Sequence, residues 1–261
     1  MKNTGSCVLS PVGEDIYRNV LYASKGGLDL EPDLFFFSLP DGQSGKFVFS
    51  RSGQIKVIPN QHLEITYTNG FSSWKIIGKD GTQYFFDKAE ITQNASSCGE
   101  VMNGPETFTI PPVVAPSSWK LTKIKSANNL DSIWFEYEAE NLQYQTTSSV
   151  THYDRVIGNV AVPGSSECLN NTNVSGWRLK RIRTKAGYYV EFVANTSRPD
   201  LTGGKYLDQI LMFHKTTFIK RFLLNRGGAI PTLTSLRESF EQSATTITTP
   251  AYEFRSHLKN T

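Results

Sequence analysis

Trp119-Lys120-Leu121-Thr122-Lys123-Ile124, then Asn128-Asn129, then Ser132-Ile133-Trp134-Phe135-Glu136-Tyr137 is the stretch on which the reading of the fold turns. Residues two apart in a strand share a face, so Trp119, Leu121 and Lys123 lie on one side, with Lys120, Thr122 and Ile124 on the other. The asparagine pair is turn chemistry between two β-prone runs, and the whole reads as a β-hairpin. The same grammar occurs twice more. Trp74-Lys75-Ile76-Ile77 leads through Asp80-Gly81 to Thr82-Gln83-Tyr84-Phe85-Phe86, and Trp177-Arg178-Leu179-Lys180-Arg181-Ile182 leads through Lys185-Ala186-Gly187 to Tyr188-Tyr189-Val190-Glu191-Phe192. Each unit is Trp, a basic residue, Ile or Leu, a polar turn, then an aromatic-rich strand.

Working outward, strand signals continue to both ends. Lys46-Phe47-Val48-Phe49 turns at Ser52-Gly53 into Ile55-Lys56-Val57-Ile58, stopped by Pro59, and Leu63 to Tyr67 meets a turn at Asn69-Gly70. Asn-Gly between alternating apolar runs is the strongest short hairpin signal. Tyr206 to Phe213 turns over His214 to Thr217 and returns as Phe218 to Leu224; Thr232 to Glu238 and Ala251 to Phe254 read as a last pair. Helix is expected only as single turns. Two segments, Ala89 to Ser118 and Leu142 to Ser175, read as irregular polar inserts; the first holds Pro105 and Pro111-Pro112, which a central strand excludes. The expectation is an all-β chain of sequential antiparallel hairpins, rolled into a large curved sheet or two packed sheets, with little helix. A division near Pro116 gives regions 1–115 and 116–261, or the two form one continuous domain.

Composition removes several classes. A chain of 261 residues buries a core without staples. With 27 Lys and Arg against 24 Asp and Glu, evenly mixed, no basic face exists for nucleic acid or an anionic membrane, so neither is expected as a partner. No apolar run is long enough to span a bilayer, and Met1 to Ser10 lacks the pattern of a signal peptide. Cys7, Cys98 and Cys168 allow at most one disulfide. Cys98 and Cys168 both fall in the polar inserts, and either a bridge between those inserts or free, partly buried thiols fits the sequence.

No residue set specifies a reaction. His62, His152, His214 and His257 stand singly, without metal-ligand spacing, and no GxSxG elbow marks a nucleophile. Gly26-Gly27, Gly203-Gly204 and Gly227-Gly228 read as turns, lacking the strand-to-helix setting of a phosphate loop. Asp131, Glu136, Glu138 and Glu140 raise the paired carboxylates of a glycoside hydrolase. Their alternation with Phe135, Tyr137 and Ala139 reads instead as a solvent-facing side. Trp74, Trp119 and Trp177 could form a sugar-stacking platform, but equivalent repeat positions suit packed core residues better. Asn94, Asn170, Asn173 and Asn195 head N-glycosylation triplets, which Asn-, Ser- and Thr-rich loops produce by chance. Catalytic, cofactor-binding and metal-binding residues are therefore all expected to be none.

Glu31-Pro32-Asp33-Leu34-Phe35, Gly45-Lys46-Phe47-Val48-Phe49 and Ile58-Pro59, in that order, resemble the segment ahead of the repeats in Bacteroidetes-type RHS/YD-repeat proteins. The hairpin from Trp119 to Tyr137 and the phrases Leu233 to Leu236 and Pro250 to Phe254 continue the likeness. The resemblance implies a secreted or cell-surface chain, non-catalytic itself, whose partner is a downstream repeat shell or another protein. A carbohydrate-binding module with a glycan ligand is the next expectation, and a β-rich glycoside hydrolase the third. The chain departs from the family pattern in having no run of YD repeats and no C-terminal effector.

Overall fold

A computed structural model describes residues 33–100, 107–156, 160–227, 232–242, 245–248 and 252–253. The strands are β1 (Phe35–Ser38), β2 (Ser44–Phe49), β3 (Ile55–Ile58), β4 (Glu64–Tyr67), β5 (Trp74–Ile77), β6 (Gln83–Phe86), β7 (Lys88–Glu100), β8 (Thr107–Lys120), β9 (Lys123–Lys125), β10 (Ser132–Val156), β11 (Val160–Thr184), β12 (Tyr188–Val193), β13 (Gln209–His214), β14 (Thr217–Gly227), β15 (Thr232–Gln242), β16 (Thr245–Thr248) and β17 (Tyr252–Glu253). The one helical turn among the described residues, Asn69–Phe71, occupies the expected Asn-Gly turn between β4 and β5. Strands β1 to β3 form a small sheet; a second, open sheet runs β4-β5-β6-β9-β10-β11-β12-β13-β14-β15-β16, with β7 and β8 attached to β11 and β17 to β15. All pairings between these strands are antiparallel, and the all-β hairpin architecture is the one the chain adopts.

The core sits where the two sheets stack at the N-terminal side. In β1, alternation buries Phe35 and Phe37 and leaves Phe36 exposed. Phe35 stacks on Phe47 of β2 at 4.9 Å between ring centroids, and both reach Trp74 of β5 at 5.2 and 5.3 Å. Leu39, Ile76 and Tyr84 complete the buried cluster. Each such side chain contributes about 1.5–3 kcal/mol on burial. Burial also pushes the Tyr84 phenol up to about 12.

The polar inserts are strands, which corrects their reading as irregular. β7 and β8 pair with each other from Lys88↔Lys120 to Gly99↔Thr107, and β10 and β11 pair from Ile133↔Thr184 to Val156↔Val160. Serine, threonine and asparagine carry no apolar alternation, so their pairing comes from the backbone ladder and leaves no local signal. Pro111 and Pro112 lie in β8, which among the described strands pairs with β7 alone; the register slips there, with Asn94 opposite Val113 and Ser96 opposite Ile110. An edge strand with a bulge is where prolines are tolerated. The point 115/116 falls within β8.

The second and third tryptophan units differ from the first in pairing. Trp74 faces Phe86 within its own hairpin, as expected. Trp119 instead closes the β7–β8 hairpin opposite Ala89, and only Lys123–Lys125 pairs with β10. Trp177 lies within β11 opposite Ala139, and only Arg181 to Arg183 pair with β12.

The β10–β11 ribbon is approached across both of its edges. The β7–β8 hairpin leaves the sheet between β6 and β9, yet β7 pairs with β11 from Ser175↔Ile91 to Ser166↔Glu100, on the edge away from β10. Conversely the loop after β12 comes from the β11 side and bridges β10 at Gln143↔Thr202, the Gln143 amide donating to the Thr202 carbonyl at 3.0 Å. Gly203 has φ +83°, and a Cβ there would stand 1.8 Å from the Asn141 carbonyl oxygen. A side chain is excluded twice, by backbone conformation and by space. Gly203→Ala is accordingly expected to cost at least about 1–2 kcal/mol from the left-handed backbone alone, read as a lower urea midpoint. An unchanged midpoint would show that the loop does not make this approach.

Candidate functional site

A close-set group of charged side chains lies on the β10–β11 ribbon. Glu136, Glu138 and Glu140 alternate along β10, and opposite them stand Arg181, Arg178 and Gly176. Arg178 and Arg181 are three apart, which places residues on opposite faces of a regular strand. The register slips between Glu136 and Tyr137, leaving Lys180 without a counterpart. That β-bulge brings both arginines to the glutamate side.

The result is a ladder of ion pairs. Arg178 donates to both Glu138 and Glu140, the second contact at 3.3 Å. Arg181 lies 3.6 Å from Glu136 and 3.2 Å from Glu191 of β12. Arg183 donates through Nε to Glu136 at 2.6 Å, and its guanidinium lies 4.4 Å from the Trp134 ring centroid. The glutamates are thus not a plain solvent-facing side, as the alternation suggested. They are half-buried under arginine, whereas Ala139 on the opposite face is exposed. Asp131 stands apart in the β9–β10 turn. General acid–base chemistry needs a carboxyl free to exchange a proton with a substrate; these carboxylates are instead each held by a guanidinium, an arrangement that fixes strand register.

The tryptophans serve packing. Trp74 is buried, and Trp119 meets it edge-on at 5.6 Å while donating Nε1 to the Phe71 carbonyl at 2.6 Å. Trp177 donates Nε1 to the Ala89 carbonyl at 2.8 Å and lies under the Lys88 ammonium at 4.0 Å. Trp74 and Trp119 rings are 80° apart and so do not form a flat platform. They line an apolar cleft of about 180 Å³ with Phe36, Phe47 and Phe86, to which Ser38 and Ser118 add hydroxyls.

The remaining candidates are dispersed. His214 ends β13 and stacks on the exposed Tyr188 at 4.2 Å. His62 lies between β3 and β4, and His152 within β10. His257, Cys7 and Gly26-Gly27 lie outside the described residues. Among the described residues no group of three or more His, Cys, Asp or Glu is placed to hold a metal ion, and no helix is long and apolar enough to cross a membrane. Gly203 and Gly204 form a turn, as expected, and Gly227 ends β14. Sequence reasoning missed the arginine partners of the glutamates, because only the long β10–β11 register and its bulge bring them together.

The loop that reaches β10 is held by two carboxylates. Burial pushes Asp208 up, but amide donation from Asn195 and Thr196, at 2.7 and 3.0 Å, outweighs it and leaves the carboxyl below its ordinary value. A hydrogen bond from Arg198 holds Asp200 at about 2.

These features define an open antiparallel β-hairpin protein in which the β10–β11 ion pairs and the indoles of Trp119 and Trp177 hold strands to one another. Compared with known family models, curated proteins and solved structures, the chain matches none.

Two outcomes are expected. Arg178→Ala strands two half-buried carboxylates and should lower unfolding free energy by about 1–3 kcal/mol, while Arg183→Ala, nearer solvent, should cost within about 0.5 kcal/mol. Equal losses in urea denaturation would contradict the ladder. The depressed carboxyls bind protons less readily in the folded chain than in the unfolded one. Their stabilisation is complete above the ordinary value of 3.8 and is lost as pH falls through the folded value. The Asn195 and Thr196 amide resonances should therefore titrate with a midpoint below 3.8; a midpoint at or above it would mean the amides do not hold Asp208.

Proposed function

We propose that this chain is a non-catalytic structural and interaction module of a larger secreted or cell-surface assembly of the RHS/YD-repeat kind, with neighbouring β-hairpins of that assembly as its partner. The observation that carries the reading is the character of the sheet beyond β11. β13 reads Gln-Ile-Leu-Met-Phe-His, and all six residues are half-buried. Neighbours in a strand face opposite ways, so Ile210 and Met212 serve one face, Leu211 and Phe213 the other. Apolar residues on both faces are the composition of a sheet covered on both sides. Yet outside the N-terminal cluster the buried apolar residues among those described are Ala115, Val174 and Ala194 alone. β12 and β14 repeat the pattern with Tyr189, Val190 and Phe192, and with Phe218, Ile219 and Phe222.

Further hairpins of the same kind, continuing and rolling the sheet, would supply the cover that the described residues do not provide and pair at its last described edge. The resemblance of the lead-in phrases to RHS proteins supports this kind of partner. The packed indoles support a structural role over sugar stacking, and the guanidinium-bound carboxylates support it over glycoside hydrolysis.

The test is to sequence the source locus outward from both ends of the reading frame. A secretory leader upstream and in-frame YD repeats downstream are expected. A stop codon after Thr261 with no repeats nearby would overturn the proposal, and binding on a glycan array would then favour the carbohydrate-binding reading.

A further inference from the structure

Cys98 of β7 and Cys168 of β11 are direct register partners, third from the Ser166↔Glu100 end of a ten-pair antiparallel run without a bulge that extends to Ser175↔Ile91. Opposed residues in an antiparallel pair have Cα atoms about 5.5 Å apart when hydrogen-bonded and about 4.5 Å apart when not. Both spacings fall inside the roughly 4.4–6.8 Å that a disulfide requires. The geometry points to a Cys98–Cys168 disulfide, a covalent staple joining the β7–β8 hairpin to the edge of β11. It is independent of the assembly proposed above and needs only an oxidising compartment.

The surrounding sequence gives the staple a physical role. Around it β7 reads Thr92-Gln93-Asn94-Ala95-Ser96-Ser97 and β11 reads Leu169-Asn170-Asn171-Thr172-Asn173-Val174. Strands this polar specify their register weakly, because a one-residue slip moves no apolar face out of a core. On β11, Thr172, Val174 and Gly176 are buried while Asn171, Asn173 and Ser175 are exposed, and Val174 is the one apolar side chain among the three that are buried. A bond between Cys98 and Cys168 forbids the slip outright. In forming it the two thiols lose two protons and two electrons to a second disulfide, glutathione disulfide or that of a thiol oxidoreductase, which departs as two thiols.

The test uses the full chain, equilibrated with glutathione disulfide, then alkylated and digested with trypsin without reduction. Cleavage after Lys and Arg puts the three cysteines in separate peptides, 3–18, 89–120 and 156–178. The expected result is a linked species of peptides 89–120 and 156–178, two hydrogens lighter than their sum, with the thiol count falling from three to one. Cys7→Ser should keep that link and Cys98→Ser should abolish it. Three free thiols, separate glutathione adducts on Cys98 and Cys168, or any link through Cys7 would overturn the assignment.

Discussion

The β10–β11 ribbon is crossed from both sides, and the rest of the sheet depends on how those crossings are accommodated. One crossing brings the β7–β8 hairpin to the far edge of β11; the other brings the loop before β13 to β10. Each passes a glycine. At Gly203 the obstacle to a side chain is the Asn141 carbonyl; at Gly176 a Cβ would stand 2.7 Å from the Glu90 carboxylate. Glu90 is in turn held by Lys120 at 3.2 Å and by the Ser118 hydroxyl at 3.1 Å, both at the base of the same hairpin. Trp177 fixes the crossing chain through the Ala89 carbonyl. The indole thereby anchors the base of the hairpin to β11.

Stability is unevenly distributed as a consequence. The Phe35–Phe47–Trp74 cluster buries large aromatic surface between two sheets, whereas the outer ribbon rests on backbone ladders and small polar contacts such as Gln145 to Asn171 at 2.6 Å. Exposed hydrogen bonds of that kind contribute little net free energy each. Among the described residues, the outer part of the β10–β11 ribbon is therefore a low-stability unit whose opening need not disturb the core.

Turns and apolar hairpins were legible in the sequence, while the polar strands and the long-range pairing were not. Asp80-Gly81, Asn128-Asn129 and Lys185-Ala186-Gly187 all turn where their chemistry demands, with left-handed φ at Gly81, Asn129 and Gly187. The segments around Asn94 and Asn170 lack apolar periodicity, so nothing local distinguishes a ladder-bound polar strand from a loop. The equivalence of the three tryptophans was half right. All three pack, but Trp119 and Trp177 sit at the base of the crossing hairpin, a placement that no repeat pattern encodes. The arginine ladder was hidden for a simpler reason. Its face assignment hinges on one unpaired residue, Lys180, and a one-residue bulge reverses every parity inference drawn beyond it.

That bulge also bears on what the molecule is built to do. A solvated sheet needs no correction of parity, because charged residues are tolerated on either side of a strand in water. Here the bulge brings Arg178 and Arg181 onto the same side as three glutamates, and the ladder continues through Glu191 into β12, beside the strands whose apolar residues occupy both faces. Exposed ion pairs add little to stability. Their effect grows when water is excluded, because the effective dielectric falls. On the proposed reading, in which neighbouring hairpins cover this sheet, each guanidinium–carboxylate pair would also penalise a misregistered neighbour by leaving a charge unmatched.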